Sequence, residues 1–163
     1  MYKLKFIAEI ANTHQGNIEK AIDLALKSDE AGAYAVKFQM YFPEELTTKS
    51  HPSFNQFKRQ SFSLKDWKYL FSKLKNLKAK IYLDIFGTKA LNFSKNFKIG
   101  GYKIHLSDLT NYPLIKKLSK VKQKIFIGSG GANIMELKKI LQILNNNKVI
   151  ILHGFQAYPT KIK

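Results

Sequence analysis

The residues with the clearest potential for chemistry lie at the ends of short apolar segments, where they alternate with hydrophobic side chains. Four segments carry Glu9, Lys37 with Gln39, Lys103 with His105, and His153. Successive side chains of a strand point to opposite faces, so each pair shares one face. Charged groups are costly to bury without partners. In parallel α/β proteins, ligands gather at the carboxyl ends of the strands. The pattern therefore predicts an active site at that end of a sheet.

The elements that must position these residues follow from the hydrophobic period, which changes repeatedly between that of a strand and that of a helix. Strands are predicted over residues 5–10, 35–39, 80–84, 102–105, 125–127 and 149–152. Helices are predicted over residues 17–32, 63–77, 90–97 and 133–144, with another beginning near Pro113, and a long loop over residues 40–60. The alternation favours a parallel sheet with right-handed crossovers.

The predicted fold class is α/β, with about six strands where a closed (β/α) barrel of the TIM type needs eight. The interpretation is either an open sheet or an incomplete (β/α) barrel. A chain of 163 residues can bury one good core, so residues 1–163 are predicted to form one partial barrel domain.

Composition and charge narrow the classes of partner. The formal net charge is +17, which favours polyanions, yet Arg59 is the only arginine and the lysines spread over predicted helix surfaces. Direct base readout relies heavily on arginine, so we expect no nucleic-acid partner. No apolar run approaches the length of a membrane helix, and no membrane partner is expected. Cysteine is absent, which is compatible with the cytoplasmic location that we expect.

Six segments carry a family resemblance. Residues 6–16 resemble the opening of the sialic acid synthase family, and the remaining matches, in order, are Val-Lys-Phe-Gln at 36–39, Tyr-Lys-Ile at 102–104, Asn-Tyr-Pro-Leu at 111–114, Leu-His at 152–153 and Tyr-Pro-Thr at 158–160. Each match is weak alone. As an ordered set over nearly the whole chain they are specific, and they indicate a divergent branch of that family.

The resemblance implies a TIM-type barrel that condenses phosphoenolpyruvate with N-acetylmannosamine or a related amino sugar and releases phosphate. It also implies a homodimer and a divalent metal, manganese or magnesium. The family's two metal-binding histidines lie beyond the sixth strand, in a region that this sequence does not contain. The C-terminal domain of the family also lies in that region. If the sequence is the whole protein, we expect the metal-dependent step to be lost, and no metal ligand is assigned here.

The resemblance also assigns roles by position. Lys37 and Lys103 would hold the phosphoenolpyruvate anion, while Glu9 and Gln39 would face the amino sugar, with Glu9 orienting it or moving a proton. Tyr158 would line the pocket near the phosphate. The substrate-binding predictions comprise, besides Gln39 and Tyr158, Asn12, His14, His105, Ser129, His153 and Gln156.

Departures from the family pattern leave the sugar open. The family's Gly-Ser-Gly-Glu after the fourth strand is replaced by residues 105–108, so the glutamate role falls to the shorter Asp108 as a catalytic candidate. Ser129 would substitute for the hydroxyls of a Ser-Thr-Gly segment, and Gln156 stands where the family has asparagine or a similar residue. Residues 84–87 replace a Thr-Pro-Phe type segment. Residues 128–131 open a helix, and helix N-termini favour anions.

For several of these residues a purely structural role is an alternative to substrate binding. Lys37 and Lys103 are compatible with lysines that snorkel at a sheet edge. His14 is compatible with a structural hydrogen bond, and His105 and His153 with satisfied core histidines. Two functional alternatives also remain: a non-catalytic fragment that retains the anion-binding pocket, and a Schiff-base aldolase that uses Lys103 as nucleophile.

Overall fold

The sheet contains six parallel strands whose order in space is their order in the chain. The computed structural model describes residues 4–145 and 148–154. The strands are β1 Ile7–Glu9, β2 Ala35–Met40, β3 Lys80–Ile85, β4 Gly101–Ile104, β5 Lys124–Gly128 and β6 Val149–Leu152. Every neighbouring pair is parallel. The predicted α/β fold, part of a TIM-type barrel with about six strands, is confirmed.

Seven α-helices connect or follow the described strands. They are α1 Ile18–Glu30, α2 Pro43–Leu46, α3 Phe54–Gln60, α4 Leu64–Lys73, α5 Gly87–Ser94, α6 Tyr112–Leu118 and α7 Ile134–Ile143, with a short 3₁₀ turn over Leu106–Asp108. None of the helices within residues 4–145 and 148–154 combines the length and the hydrophobicity that a membrane span requires.

The sequence interpretation missed two helices and was wrong about the boundaries of two others. The predicted loop over residues 40–60 contains α2, which has proline in its first turn, and α3, which buries Phe54. Helix α4 ends at Lys73, before Leu77. Helix α5 starts at Gly87, three residues before the predicted start at Ala90.

The early start of α5 has a non-local cause. The Glu45 carboxylate accepts hydrogen bonds from the backbone N–H groups of Thr88 (3.0 Å) and Lys89 (3.1 Å), which have no partner within the helix itself. A negative side chain at a helix N-terminus also interacts favourably with the helix dipole. Glu45 is 43 residues before Thr88, so the residues around the start of α5 do not predict this cap.

Local capping explains the helix starts that were predicted correctly. The Asn17 side chain accepts from the Lys20 N–H at 3.0 Å and starts α1. Ser63 and Asp66 form a reciprocal capping box at α4, and Asn133 and Glu136 form another at α7. Both pairs satisfy donors that a helix N-terminus otherwise leaves exposed.

The main core lies between the helices and the outer face of the sheet. Phe38, Leu83, Tyr102 and Ile125 form one register row across four strands, and none is more than 1% exposed. The opposite, inner face has a smaller apolar group of Ala35, Tyr82 and Phe126. Strand alternation also places Ile7, Ile150 and Leu152 on this face, together with a group of polar side chains.

Candidate active site

The polar side chains of the inner face come together in two adjacent register rows. Glu9 on β1 pairs with Lys37 on β2, and the next inner row places Gln39, Asp84 and Lys103 on β2, β3 and β4. These positions lie toward the carboxyl ends of the strands. The sheet register thus gathers residues that are up to 94 positions apart in the sequence.

Two lysines and two carboxylates form one ion-pair network. Lys37 pairs with Glu9, and its Nζ also lies 3.8 Å from Asp84 Oδ2. Lys103 Nζ lies 2.5 Å from the same Oδ2 atom. The side chains of Lys37 and Lys103 are 12% and 15% exposed, whereas that of Glu9 is 45% exposed. The network supplies the partners that largely buried charges require.

Asp84 is the residue of this network that the sequence interpretation did not select. It is 1% exposed, and its Oδ1 atom has no hydrogen-bond partner within the described residues. A signal was present, because Tyr82 and Asp84 alternate with Leu83 and Ile85 just as Lys37 and Gln39 alternate with their apolar neighbours. The segment was noted as a departure from the family pattern but not as part of the site.

Two cavities open on this network. One, of about 230 Å³, is lined by Glu9, Lys37 and Lys103 above the rings of Tyr82 and Phe126. Burial, followed by the nearby Tyr34, raises the pKa of Tyr82 to about 12, so its hydroxyl is neutral at pH 7. A ligand bound in this cavity would contact charged side chains and, beside them, the aromatic rings of Tyr82 and Phe126.

The second cavity is a neighbour of the first. It has a volume of about 270 Å³, and its lining includes Lys103, His105, Gly128 and His153. Lys103 and Leu152 line both cavities, so the two spaces adjoin. A larger cavity of about 580 Å³ lies near the start of β3, where lysines and apolar side chains line it without any carboxylate or histidine. The acid–base groups therefore belong to the two smaller cavities.

His105 is held in the second cavity by local contacts. The Ser107 backbone N–H approaches its Nδ1 at 3.4 Å, with the Ser107 hydroxyl at 3.1 Å, and its ring packs against Phe86. Burial and, next, the charge of Lys103 lower the pKa of His105. The imidazole is accordingly neutral at pH 7, as a hydrogen-bonding group rather than a cation.

Asp108 lies outside the linings of both cavities. Its carboxylate accepts a hydrogen bond from Asn111 Nδ2 at 2.9 Å, and burial raises the pKa of Asp108. The Asn111 side chain also caps α6. The catalytic role that the family comparison gave to Asp108 stays a prediction.

Ser129 connects the ends of β5 and β6. Its backbone N–H donates to the Leu152 carbonyl at 3.1 Å, and its hydroxyl lies 3.3 Å from His153 Nδ1. Ser129 is 3% exposed. These contacts place His153 at the rim of the second cavity, while the substrate roles of both residues stay predictions.

Asn12 and His14 lie in the loop after β1, outside the linings of the cavities. The Tyr41 hydroxyl donates to Asn12 Oδ1 at 3.2 Å. His14 is buried, its Nδ1 accepts from the Gly16 N–H at 3.0 Å, and its ring stacks on Phe62. Both side chains therefore hold the loop together. Two other predicted residues, Gln156 and Tyr158, lie outside the described residues.

The described residues do not fit the divalent metal implied by the resemblance. Across residues 4–145 and 148–154, no three carboxylate, histidine or thiol side chains are grouped so that they could hold a metal ion. The carboxylates at the strand ends are instead paired with lysines. The chemistry available from these residues is charge stabilisation, positioning and proton transfer.

Curled parallel strands with charged side chains gathered toward their carboxyl ends define a protein of the (β/α)-barrel class. The model of the NeuB family matches residues 22–163, and the chain belongs to this family. The resemblance seen in the sequence is thereby confirmed.

Relatives and solved structures agree with this assignment. The chain is 30% identical over 161 residues to the uncharacterised protein MJ1065 of Methanocaldococcus jannaschii, covering 94% of this chain and 47% of that protein. It is 28% identical over 180 residues to the pseudaminic acid synthase of Campylobacter jejuni, covering 99% of this chain and 52% of that protein. The sialic acid synthetase structure from Leptospira borgpetersenii superposes with a TM-score of 0.90 at 23% identity, covering 98% and 57%, and this likeness shows the fold. The chain spans about half the length of the curated relatives it matches.

Proposed function

We propose that this chain carries the phosphoenolpyruvate-binding part of a synthase that joins phosphoenolpyruvate to N-acetylmannosamine or a related amino sugar, forming a sialic-acid-like sugar and releasing phosphate. One observation carries the proposal: Lys37, Lys103 and Glu9 line a single cavity at the carboxyl ends of the strands. Family membership supports it, and the curated relatives include a pseudaminic acid synthase, an N,N'-diacetyllegionaminic acid synthase and an N-acetylneuraminate-9-phosphate synthase.

The roles follow from charge and position. Lys37 and Lys103 attract and orient the anionic groups of phosphoenolpyruvate in a largely buried site. Glu9, which is half exposed, is placed to orient the sugar or to move a proton, and Gln39 lies one register row further along β2. In the overall reaction, C3 of phosphoenolpyruvate bonds to the aldehyde carbon, water adds at C2, and phosphate leaves.

The complete activity requires more than the described residues supply. The divalent metal and the homodimer expected from the family belong to the proposal, as does a cytoplasmic location. No step is assigned to the metal, because the described residues do not provide its ligands. One alternative uses the same cavity lined by Lys37, Lys103 and Glu9: a non-catalytic chain that retains the anion-binding pocket.

The Schiff-base alternative is less well supported by the geometry. Imine formation needs a neutral Lys103 amine. The Lys103 Nζ atom instead lies 2.5 Å from the Asp84 carboxylate, an arrangement suited to the ammonium form. Borohydride trapping with a carbonyl substrate separates the two mechanisms, because the proposed synthase forms no imine.

Calorimetric titration of phosphoenolpyruvate into the folded chain tests the proposal. We expect binding that Lys37→Met or Lys103→Met abolishes, while Lys65→Met, on an exposed helical position, leaves it unchanged. Phosphate release is then measured with amino-sugar aldehydes and manganese, for the chain alone and after adding the complementary half of a synthase relative. Absence of binding by a cooperatively folded chain contradicts the proposal. Binding without phosphate release in either assay supports the non-catalytic alternative.

A further inference from the structure

Asp84 places a negative charge where an anionic ligand would meet the two lysines. Its Oδ2 atom lies 2.5 Å from Lys103 Nζ and 3.8 Å from Lys37 Nζ. The residue is 1% exposed, so this carboxylate is buried beside the two lysines and not at the solvent edge of the site. A single carboxylate oxygen thus contacts both ammonium groups.

The formal charges of the network cancel. Lys37 and Lys103 contribute two positive charges, and Glu9 and Asp84 contribute two negative charges. Electrostatic interactions are strong where water is largely excluded, so a carboxylate between the lysines opposes the approach of a second anion. The attraction of the lysines for a ligand is therefore partly offset by the protein's own carboxylates.

The hydrogen bonding of Asp84 is incomplete. Lys103 donates to Oδ2, whereas Oδ1 has no donor in the described part of the chain. A buried acceptor without a donor is unfavourable, and a carboxylate kept only for structure is normally satisfied at both oxygens. This unpaired oxygen indicates that the present arrangement is completed or rearranged when a ligand binds.

We propose that Asp84 is a specificity-determining residue that competes with anionic ligands for Lys37 and Lys103 and thereby sets the anion affinity of the site. When an anion binds, it contacts the ammonium groups of both lysines, and these groups lose their ion pairs with Asp84. For phosphoenolpyruvate as the anion, this inference rests on the proposed function. The competition between Asp84 and a bound anion does not depend on that function and applies to any ligand that carries a phosphate group.

The test compares Asp84→Asn, which removes the charge and keeps the shape, with Asp23→Asn, which makes the same charge change in an exposed helical ion pair. Inorganic phosphate and phosphoenolpyruvate are titrated separately into the wild-type chain and both variants. We expect Asp84→Asn to bind phosphate at least tenfold more tightly and Asp23→Asn to match the wild type. Equal phosphate affinity of the wild type and a cooperatively folded Asp84→Asn overturns the inference.

A measurement on the wild-type chain covers the case in which the variant does not fold. The ¹³C signal of the Asp84 carboxyl carbon is followed during the phosphate titration. A shift that saturates with bound phosphate is expected when Asp84 gives up its lysine contacts. An unchanged signal at saturation contradicts the competition.

The outcomes for the two proposals differ. A gain in phosphate affinity without any preference for phosphoenolpyruvate over phosphate supports the role of Asp84 and contradicts the proposed synthase ligand. Equal, lysine-dependent binding of phosphoenolpyruvate by the wild type and Asp84→Asn supports the proposed function and contradicts the role of Asp84. Absence of binding of either anion by folded proteins contradicts both.

Discussion

Lys103 Nζ lies 2.5 Å from Asp84 Oδ2, and the two residues are direct register partners on β4 and β3. The contact is set by the pairing of the strands, because their side chains share the inner face at the same level. Both side chains of this pair are largely buried, at 15% and 2% exposed. The Lys27–Asp23 pair on the surface of α1 has the same side-chain types but is 68% and 55% exposed.

A double-mutant cycle should show that this pair is strongly coupled. For Lys103→Met and Asp84→Asn, we expect a coupling in the free energy of unfolding of about 1–3 kcal/mol, because removal of one partner leaves the other charge buried. The control cycle uses Lys27 and Asp23, an exposed pair one helical turn apart, where a much weaker coupling is expected because solvent screens both charges. Urea unfolding measures both cycles, and equal couplings would contradict the burial argument.

The capping box of α4 gives a second stability prediction. Ser63→Ala should lower the free energy of unfolding by about 1 kcal/mol, since the Asp66 N–H loses its acceptor. Ser72→Ala is the matched control, because Ser72 donates only to the Tyr69 carbonyl within the same helix. We expect a change within about 0.5 kcal/mol there. Comparable losses in the two variants would rule out a special role for the cap.

Gly87→Ala should be more damaging than Gly32→Ala, although both glycines have φ near +80°. Left-handed backbone alone costs a non-glycine residue about 1–2 kcal/mol. At Gly87 a Cβ would also lie 2.5 Å from the Glu45 carboxyl carbon, whereas nothing lies within 4 Å at Gly32. Displacing Glu45 removes the cap of α5, for which we expect roughly 1 kcal/mol more.

Chemical unfolding of both glycine variants measures this difference. The same substitutions in a Glu45→Ala background provide the control, because the extra loss at Gly87 should then disappear. If it persists there, the clash with Glu45 is not its cause.

The pH dependence of stability should reflect His14 and His105. Burial lowers the pKa of both below the ordinary value of 6.5, so the unfolded chain binds the proton more tightly. Their contribution to stability is therefore complete above about pH 6.5 and declines as the pH falls through the lowered values. Side-chain NMR titration should give midpoints below 6.5 for both, and a midpoint at or above 6.5 would contradict it for that residue.

One substitution separates the causes of the two histidine shifts. The charge of Lys103 lowers the pKa of His105 but is not among the causes for His14. Lys103→Met should consequently raise the titration midpoint of His105 and leave that of His14 unchanged. Equal movement of the two midpoints would indicate a general change in the fold.

The predictability of this structure from its sequence depends on how local each signal is. Strand alternation and local caps such as Ser63 with Asp66 specified the strands and most helix starts, because periodicity and capping act within a few residues. Helix α5 was misplaced because its cap, Glu45, comes from a distant loop. For Asp84 the alternation with Leu83 and Ile85 is a local signal that places it on the polar face, but its partner Lys103 follows only from the register of β3 with β4.

The order of the strands has a consequence for folding. Each strand pairs with its neighbour in the chain, so every pairing within the described sheet closes only one loop. The loops differ in length, since Ala35 pairs with Lys80, 45 residues later, whereas Tyr82 pairs with Gly101, 19 residues later. The sheet can grow strand by strand, with the entropy of one crossover loop lost at each step. Strands β2, β3 and β4 have neighbours on both sides and carry Lys37, Asp84 and Lys103. Amide protons in these strands should exchange more slowly than those of β1 and β6, so three of the four charged residues of the network lie in the part of the sheet that opens last, and Glu9 on β1 does not.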